Sequence, residues 1–403
     1  MPVNMAASLS APCELALNCR APWPKPFKNL INTALVRDAA TALQRAAPGF
    51  DAPGFARLAN RGLEALEMKA RAMQIADALE ATLPADFARA APLIEAALAP
   101  PETGEAMADL QGLQAGLRGW ILWPVGEFVA RRGLDQPERA LATLHALTQR
   151  FTAEFAIRPF IVRHPALVFS TLQGWCQDES HHVRRLVSEG SRPRLPWGLQ
   201  LKSLIQDPSP TLPLLLALQD DPSEYVRRSV ANHLNDIAKD HPARVAQWLH
   251  EHLPGAPEPR RALLRHASRT LIKQGDAAVL QAWGLGTAFK GRATLRIEPA
   301  TVALGETLTL QLHLKSTAAQ PQTLALDYAV HHVKAHGGTS AKVFKGWQIV
   351  LPARGEVVLS KRHSMRQITT RRYHAGHHAV HVQANGRIIA EGGFGLSMPD
   401  ADT

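Results

Sequence analysis

Cysteine, long apolar runs and the common catalytic signatures are all scarce or missing in this chain. Its 403 residues hold three cysteines, Cys13, Cys19 and Cys176. These are too few and too scattered for a disulfide framework or a zinc site, so a reducing compartment is the default. Cys176 lies among apolar residues and reads as a packed thiol. No run of about 18 apolar residues occurs, which argues against a membrane-spanning helix. The N-terminus lacks a charged stretch followed by an apolar core, so no secretory signal is expected. No Walker loop, GxSxG or HExxH is present.

What the chain does have is positive charge and a repeat. Lys and Arg number 45 against 35 Asp and Glu, a formal net charge of +10 with a pI near 9.8. That balance favours a polyanionic partner. The repeat is one phrase written twice: Asp178-Glu-Ser-His-His-Val-Arg-Arg185 and Asp221-Pro-Ser-Glu-Tyr-Val-Arg-Arg228. Its matching positions (178 and 221, 180 and 223, 183 and 226) are all 43 residues apart. This spacing falls in the range of about 40–47 residues typical of HEAT and armadillo helical repeats.

Around the repeat the grammar is helical from Phe27 to about Trp283. Apolar residues recur at three- and four-residue steps, and Pro84, Pro92 and Pro100-Pro101 punctuate short helices. A helix is expected to begin near Pro124, and others over Pro165–Cys176, Ser180–Glu189, Trp197–Ile205, Ser223–Lys239 and Pro242–His252. After Trp283 the pattern alternates with period two between Gly, Pro and Asn turns, as in Thr307–Leu314 and Ala379–Ala384. About seven short strands over about 100 residues predict a small β-sandwich. Tyr373, followed by Gly376, resembles the tyrosine corner of immunoglobulin-like domains, whose cysteine pair is absent. The expected organisation is a disordered lead-in over 1–26, an all-α superhelical repeat domain over 27–283, and an immunoglobulin-like β-sandwich over 290–398.

Two groups of residues carry candidate chemistry. Arginines recur with the repeat: Arg184, Arg185, Arg192, Arg194, Arg227, Arg228, Arg260, Arg261 and Arg265. They fit a ladder of ion pairs between repeats, in which Arg227 would meet Asp220 or Asp221. They equally fit a groove in which stacked repeats present guanidinium groups to DNA phosphates. The second group is Gly119–Val129, where Trp123 and Glu127 are four residues apart and share a helical face. Arg158, alone in Phe155-Ala-Ile-Arg-Pro-Phe160, must find a carboxylate, a carbonyl or a phosphate. In the β-domain, His331, His332, His336, His374, His377, His378 and His381 cluster, and a DNA-facing loop over 331–345 with Lys334, Lys342 and Lys345 is favoured over a metal site.

The helical region resembles the DNA alkylation repair superfamily of HEAT-like repeat glycosylases, and within it the AlkC branch. The resemblance rests on Leu63–Ile75, Glu154–Phe160, His182–Trp197 and Asp221–Pro242, and an immunoglobulin-like C-terminal domain marks one subgroup of that branch. The resemblance implies hydrolysis of the N-glycosidic bond of cationic alkylated bases, N3-methyladenine and N3-methylcytosine, in double-stranded DNA. It implies a monomer without metal or cofactor, acting in the bacterial cytoplasm on the nucleoid, and without flipping the base. The AlkD branch uses a Trp and an Asp four residues apart; Trp123 and Glu127 match that spacing with Glu for Asp. Arg184 or Arg185, with Arg158 as another candidate, match the phosphate-clamping arginine. The second tryptophan of the AlkD cradle falls at Asn232, a departure that leaves Trp175 or Trp197 to substitute. A non-catalytic repeat scaffold binding DNA or an acidic protein is the competing reading.

Overall fold

The computed structural model describes residues 27–105, 112–368 and 371–398. The lead-in expected over 1–26, with Cys13 and Cys19, lies outside them. Sixteen α-helices precede eight strands among the described residues. They are α1 (Thr33–Ala46), α2 (Ala52–Ala59), α3 (Met68–Thr82), α4 (Phe87–Ala96), α5 (Leu122–Arg132), α6 (Pro137–Thr148), α7 (Arg158–Arg163) and α8 (Pro165–Trp175). There follow α9 (His181–Gly190), α10 (Lys202–Gln206), α11 (Leu212–Leu218), α12 (Glu224–Ile237), α13 (Pro242–His252), α14 (Glu258–Ala267), α15 (Arg269–Gln274) and α16 (Ala277–Ala282).

Local chemistry sets the helix starts. Asn32, Asp51, Asp86, Ser223 and Asp276 cap helices by accepting from a backbone N–H of the first turn. Proline opens α6, α8 and α13, where its missing N–H has no intrahelical acceptor to lose. α3 packs on α5, α9 on α12 and α12 on α14, while α4 packs on α6 and α8 on α11. One apolar core runs through the whole array, from Ile31 to Leu285.

The repeated phrase forms the same turn twice. The amide of Ser180 donates to Asp178 Oδ1 at 2.8 Å, and that of Ser223 to Asp221 Oδ1 at 2.9 Å. Arg184 donates to the carbonyls of Asp178 and Glu179, and Arg227 to those of Asp221 and Pro222. The 43-residue register is thus a turn in which the first arginine closes back over the start of its own helix.

The strands are β1 (Gly291–Glu298), β2 (Thr301–Ala303), β3 (Thr307–Ser316), β4 (Gln322–Val333), β5 (Thr339–Leu351), β6 (Glu356–Ser364), β7 (Gly376–Ala384) and β8 (Arg387–Ser397). They form two sheets, ordered β1-β3-β6 and β2-β8-β7-β4-β5, antiparallel except for the β2–β8 pair. Period-two burial on β3 points Leu308, Leu310, Leu312 and Leu314 at Tyr328, Val380, Val382 and Phe394 in a separate core. Tyr373 is buried beside His332. The loop expected over 331–345 is instead a hairpin: β4 runs to Val333 and β5 starts at Thr339. Lys342 and Lys345 therefore stand on a strand, paired across to Val330 and Asp327 of β4.

Candidate functional site

A 3-10 turn at Gly119–Ile121 leads directly into α5, and Pro124 sits in its first turn without breaking it. Trp123, Glu127 and Arg131 then follow one another down one face. Trp123 is only 5% exposed. Its indole stacks on Phe155 at 5.1 Å between centroids and on Trp197 at 6.3 Å with the planes 8° apart. Trp120 packs on Phe151 at 4.9 Å, and Phe27 meets Trp120 edge-on at 4.9 Å and lies 6.3 Å from Trp197.

The outermost ring of this stack is Trp197, 63% exposed and with a backbone φ of 65°. A left-handed conformation costs a bulky residue of order 1–3 kcal/mol and persists only where its surroundings impose it. They do so here. Arg192 donates to Asp236 at 2.9 Å and to Glu189 at 2.7 Å, and Arg194 forks onto Asp240 at 2.7 and 2.8 Å. From below, Arg158 donates through Nε to the carbonyl of Leu199 at 2.5 Å and through Nη1 to that of Gly190 at 2.8 Å. The helix expected from Trp197 begins only at Lys202, since Pro193, Pro196 and these clamps hold the preceding residues as a loop.

Of the three partners the sequence leaves open for Arg158, the structure gives carbonyls: the residue is wholly buried and its two donated bonds brace the Trp197 loop. Burial and the neighbouring Arg192 pull its pKa down to about 10. Its Nη2 is buried without a hydrogen-bond partner, a cost tolerated in exchange for two charge-assisted bonds.

The repeat arginines follow the ladder. Arg184 pairs with Asp221 at 2.6 Å, Arg185 with Glu154 at 2.6 Å, and Arg260 with Asp220. Arg185, Glu189, Arg192 and Asp236 alternate in sign through the interior, and Ser229 donates to Glu189. A guanidinium already spent on a buried carboxylate has few donors left for a phosphate. The structure thus gives Arg184, Arg185 and Arg192 to the ladder, while Arg227 donates to the carbonyls of Asp221 and Pro222. Arg194 is likewise forked onto Asp240, although that pair is partly exposed. Arg228 is different: it is exposed, and its ion pair among the described residues is with Glu224 one turn earlier.

The remaining predicted positions separate. Trp175 lies by His145, at 5.3 Å between rings, and shares no described ring contact with Trp123 or Trp197. His145 itself pairs with Asp178 at 2.7 Å. Asn232 Oδ1 accepts from Arg269 at 3.1 Å and lies 2.9 Å from His266 Nε2. Lys334 is exposed in the β4–β5 turn. Lys345 lines a cleft of about 460 Å³ between α14–α15 and the β-domain, together with Arg265, Arg269, Lys273 and Asp327. Arg265 also lies over the Trp283 ring at 5.1 Å. Among the described residues no group of three His, Cys, Asp or Glu is placed to hold a metal. Cys176 is buried, and its thiol pKa is pushed up to about 11 by burial and Asp221.

Sequence reasoning missed the setting of Glu127. Its Oε1 accepts from Arg131 at 2.9 Å, and Arg131 also meets Asp77 and Glu80 of α3. The four-residue spacing of Glu127 and Arg131 signalled the first contact; nothing local signalled the two from α3.

The comparisons follow the same two parts. The model of the family described as "Uncharacterised protein YhaZ, C-terminal Ig-like domain" matches residues 292–398. The uncharacterized protein YhaZ of Bacillus subtilis (strain 168) is 35% identical over 330 residues, which are 80% of this chain and 85% of that protein. An alkylpurine DNA glycosylase AlkC of Pseudomonas fluorescens, solved bound to DNA containing an abasic site analog, is 36% identical. It matches with a TM-score of 0.82 over 92% of this chain and 99% of its own. On this likeness in both domains, the chain belongs to the AlkC family of HEAT-like repeat proteins, in the subgroup that ends in an immunoglobulin-like domain.

Proposed function

We propose that the protein is a monofunctional DNA glycosylase that hydrolyses the N-glycosidic bond of cationic alkylated bases, N3-methyladenine and N3-methylcytosine, in duplex DNA. The observation that carries this reading is a part-exposed carboxylate, Glu127, one helical turn from an aromatic stack that ends in an exposed indole. The likeness to AlkC over nearly the whole chain supports it.

An N3-alkylated base already carries positive charge, so it leaves as a neutral base without being protonated. Its departure builds an oxocarbenium ion on deoxyribose, which a nearby carboxylate stabilises. Water adds to C1′ and passes one proton to the Glu127 carboxylate, from which it leaves to solvent. Glu127 is the group for that carboxylate role. Trp197 is the face for the cationic base or sugar, through cation–π attraction, and the buried Trp123 backs it. None of the partners described for Glu127 or Trp197 is a lysine, in keeping with hydrolysis rather than a Schiff-base lyase step. The enzyme works in this reading as a monomer in the bacterial cytoplasm, nucleoid-associated when bound, without metal or cofactor.

The test is release of N3-methyladenine and N3-methylcytosine from methylated duplex DNA by the purified full chain. Glu127→Gln is expected to abolish most single-turnover release while duplex binding stays near wild type. A non-catalytic scaffold would instead bind DNA in a salt-sensitive way and release no base.

A further inference from the structure

Glu127 is held by an arginine that it shares with two other carboxylates. Arg131 donates through Nε to Glu127 Oε1 at 2.9 Å and through Nη1 to Asp77 Oδ1 at 2.6 Å and Glu80 Oε2 at 3.2 Å. Its Nη2 points at Met73 Sδ, 3.4 Å away. α3 thus grips the guanidinium at three points, and the guanidinium in turn orients the carboxylate on α5. Burial works against the Arg131 cation, but hydrogen bonds to Asp77, Glu127 and Glu80 outweigh it and raise its pKa.

The charge count is the informative part. A carboxylate in a one-to-one pair with arginine is largely neutralised and makes a poor counter-ion for a sugar cation. One guanidinium among three carboxylates leaves a net charge of −2 around Glu127. We propose, resting on the glycosidase reading above, that Arg131 is a positioning residue for Glu127. In the same proposal Asp77 and Glu80 are the charges that let Arg131 orient Glu127 without cancelling its field. Orientation and field are then supplied separately. Arg131 fixes the carboxylate oxygen in place, where misplacement by about 1 Å costs on the order of a hundredfold in rate. Asp77 and Glu80 absorb the positive charge of the clamp.

This arrangement predicts a split that a merely structural role would not give. In this proposal the DNA lies over Glu127, close to Asp77 and Glu80 through their shared Arg131, so neutralising them weakens repulsion of DNA while it lowers stabilisation of the oxocarbenium. The Asp77→Asn/Glu80→Gln double variant is expected to release N3-methyladenine about tenfold more slowly in single turnover, with DNA bound as tightly as by wild type or more tightly. Arg131→Gln is expected to lose between about tenfold and a hundredfold in rate, with Arg131→Lys restoring part of it, since a lysine returns the charge without the fork. Asp77 is 68% exposed in its side chain, so Asp77→Asn alone does not endanger folding and keeps the test available should Arg131→Gln unfold.

The two readings fail separately. If Glu127→Gln releases base at the wild-type rate, the assignment of Glu127 falls, and this inference with it. If Glu127→Gln is inactive while Asp77→Asn/Glu80→Gln and Arg131→Gln stay within twofold of wild type, only this inference falls. Slower release accompanied by proportionally weaker DNA binding would also overturn it, because the carboxylates would then be shaping the DNA surface rather than the charge at Glu127.

Discussion

Gly275 and Gly386 meet backbone to backbone where the helical array joins the β-sandwich. Gly275 ends α15 in a left-handed conformation, φ 76°, and Gly386 has φ 77° in the two-residue Asn385-Gly386 turn between β7 and β8. A Cβ on Gly275 would lie 3.0 Å from both Cα and the carbonyl oxygen of Gly386. Around this contact Gln383 donates to the carbonyl of Lys273 at 2.9 Å and Asn385 to that of Thr287 at 3.0 Å. Alanine at Gly386 is therefore expected to cost about 1–3 kcal/mol, from left-handed strain and from the lost approach. Limited proteolysis in the 284–290 connection of the full chain should accelerate. Unchanged cleavage would mean that the glycine contact does not hold the domains together.

Trp123 and Trp197 belong to one stack but should respond oppositely to truncation. Trp123 is buried, so Trp123→Ala is expected to cost about 3–5 kcal/mol of folding stability. Trp197 spends most of its surface on solvent, and Trp197→Ala should leave stability within about 0.5 kcal/mol. Under the proposed function it instead weakens binding of lesion DNA by about 1–3 kcal/mol, the usual worth of an aromatic face under a base. Denaturant melts and titrations of both variants separate these effects, and equal losses in both assays would remove the special place given to Trp197.

The difference between what was legible and what was not follows sequence distance. The phrase at 178–185 and 221–228 could be placed on helices because its signals are local: an Asp that accepts from an amide two residues on, and an apolar step of three and four. The partner of each arginine was not legible, because Arg184 meets Asp221 and Arg192 meets Asp236, contacts made only after two repeats stack. The sequence allows the ladder but not its pairing. Arg227 closes on carbonyls and Arg260 takes Asp220. At the site, Trp123 and Glu127 share a helix turn and are visible together, whereas Trp197 becomes a neighbour of Trp123 only through a loop that propensity reads as helix. The charged face from α3, more than forty residues upstream of Arg131, left no local trace.

The cleft between α14–α15 and the β-domain should register in salt dependence. Lys345, Arg269 and Lys273 gather there with Asp327 as the acidic residue among its lining. If Lys345 neutralises a phosphate, Lys345→Ala weakens binding to every duplex alike and lowers the slope of log affinity against log salt by about one. The same substitution should leave the single-turnover rate at saturating enzyme untouched. A slope equal to that of wild type would place Lys345 off the DNA path.

Acid should loosen the β-domain through histidines that fold neutral. His332 is buried with neither ring nitrogen hydrogen-bonded, 5.5 Å from His378 and 5.4 Å from Tyr373 between ring centres. Burial, then Arg371, His378, His363 and His331, push its pKa down to about 3. His363, whose Nδ1 lies 2.9 Å from the Tyr328 hydroxyl, is pushed down to about 4 by burial and Arg371, and burial lowers His378 as well. In the unfolded chain each titrates near the ordinary value of about 6.5. Between these values the unfolded state binds more protons than the folded state, so stability falls as the pH falls. The contribution is complete above about pH 6.5 and drains away towards pH 3–4, at up to about 1.4 kcal/mol per pH unit for each histidine. His182 and His233 in the helical array are also pushed down to about 4, so the wild-type curve sums both domains. The difference between wild type and His332→Phe isolates one site. Hydrogen exchange of the β3 and β7 amides in the full chain should show the variant losing protection more slowly than wild type between pH 6.5 and 4. Parallel curves would mean that His332 is charged or solvated in the folded protein and does not hold the sandwich core to neutral pH.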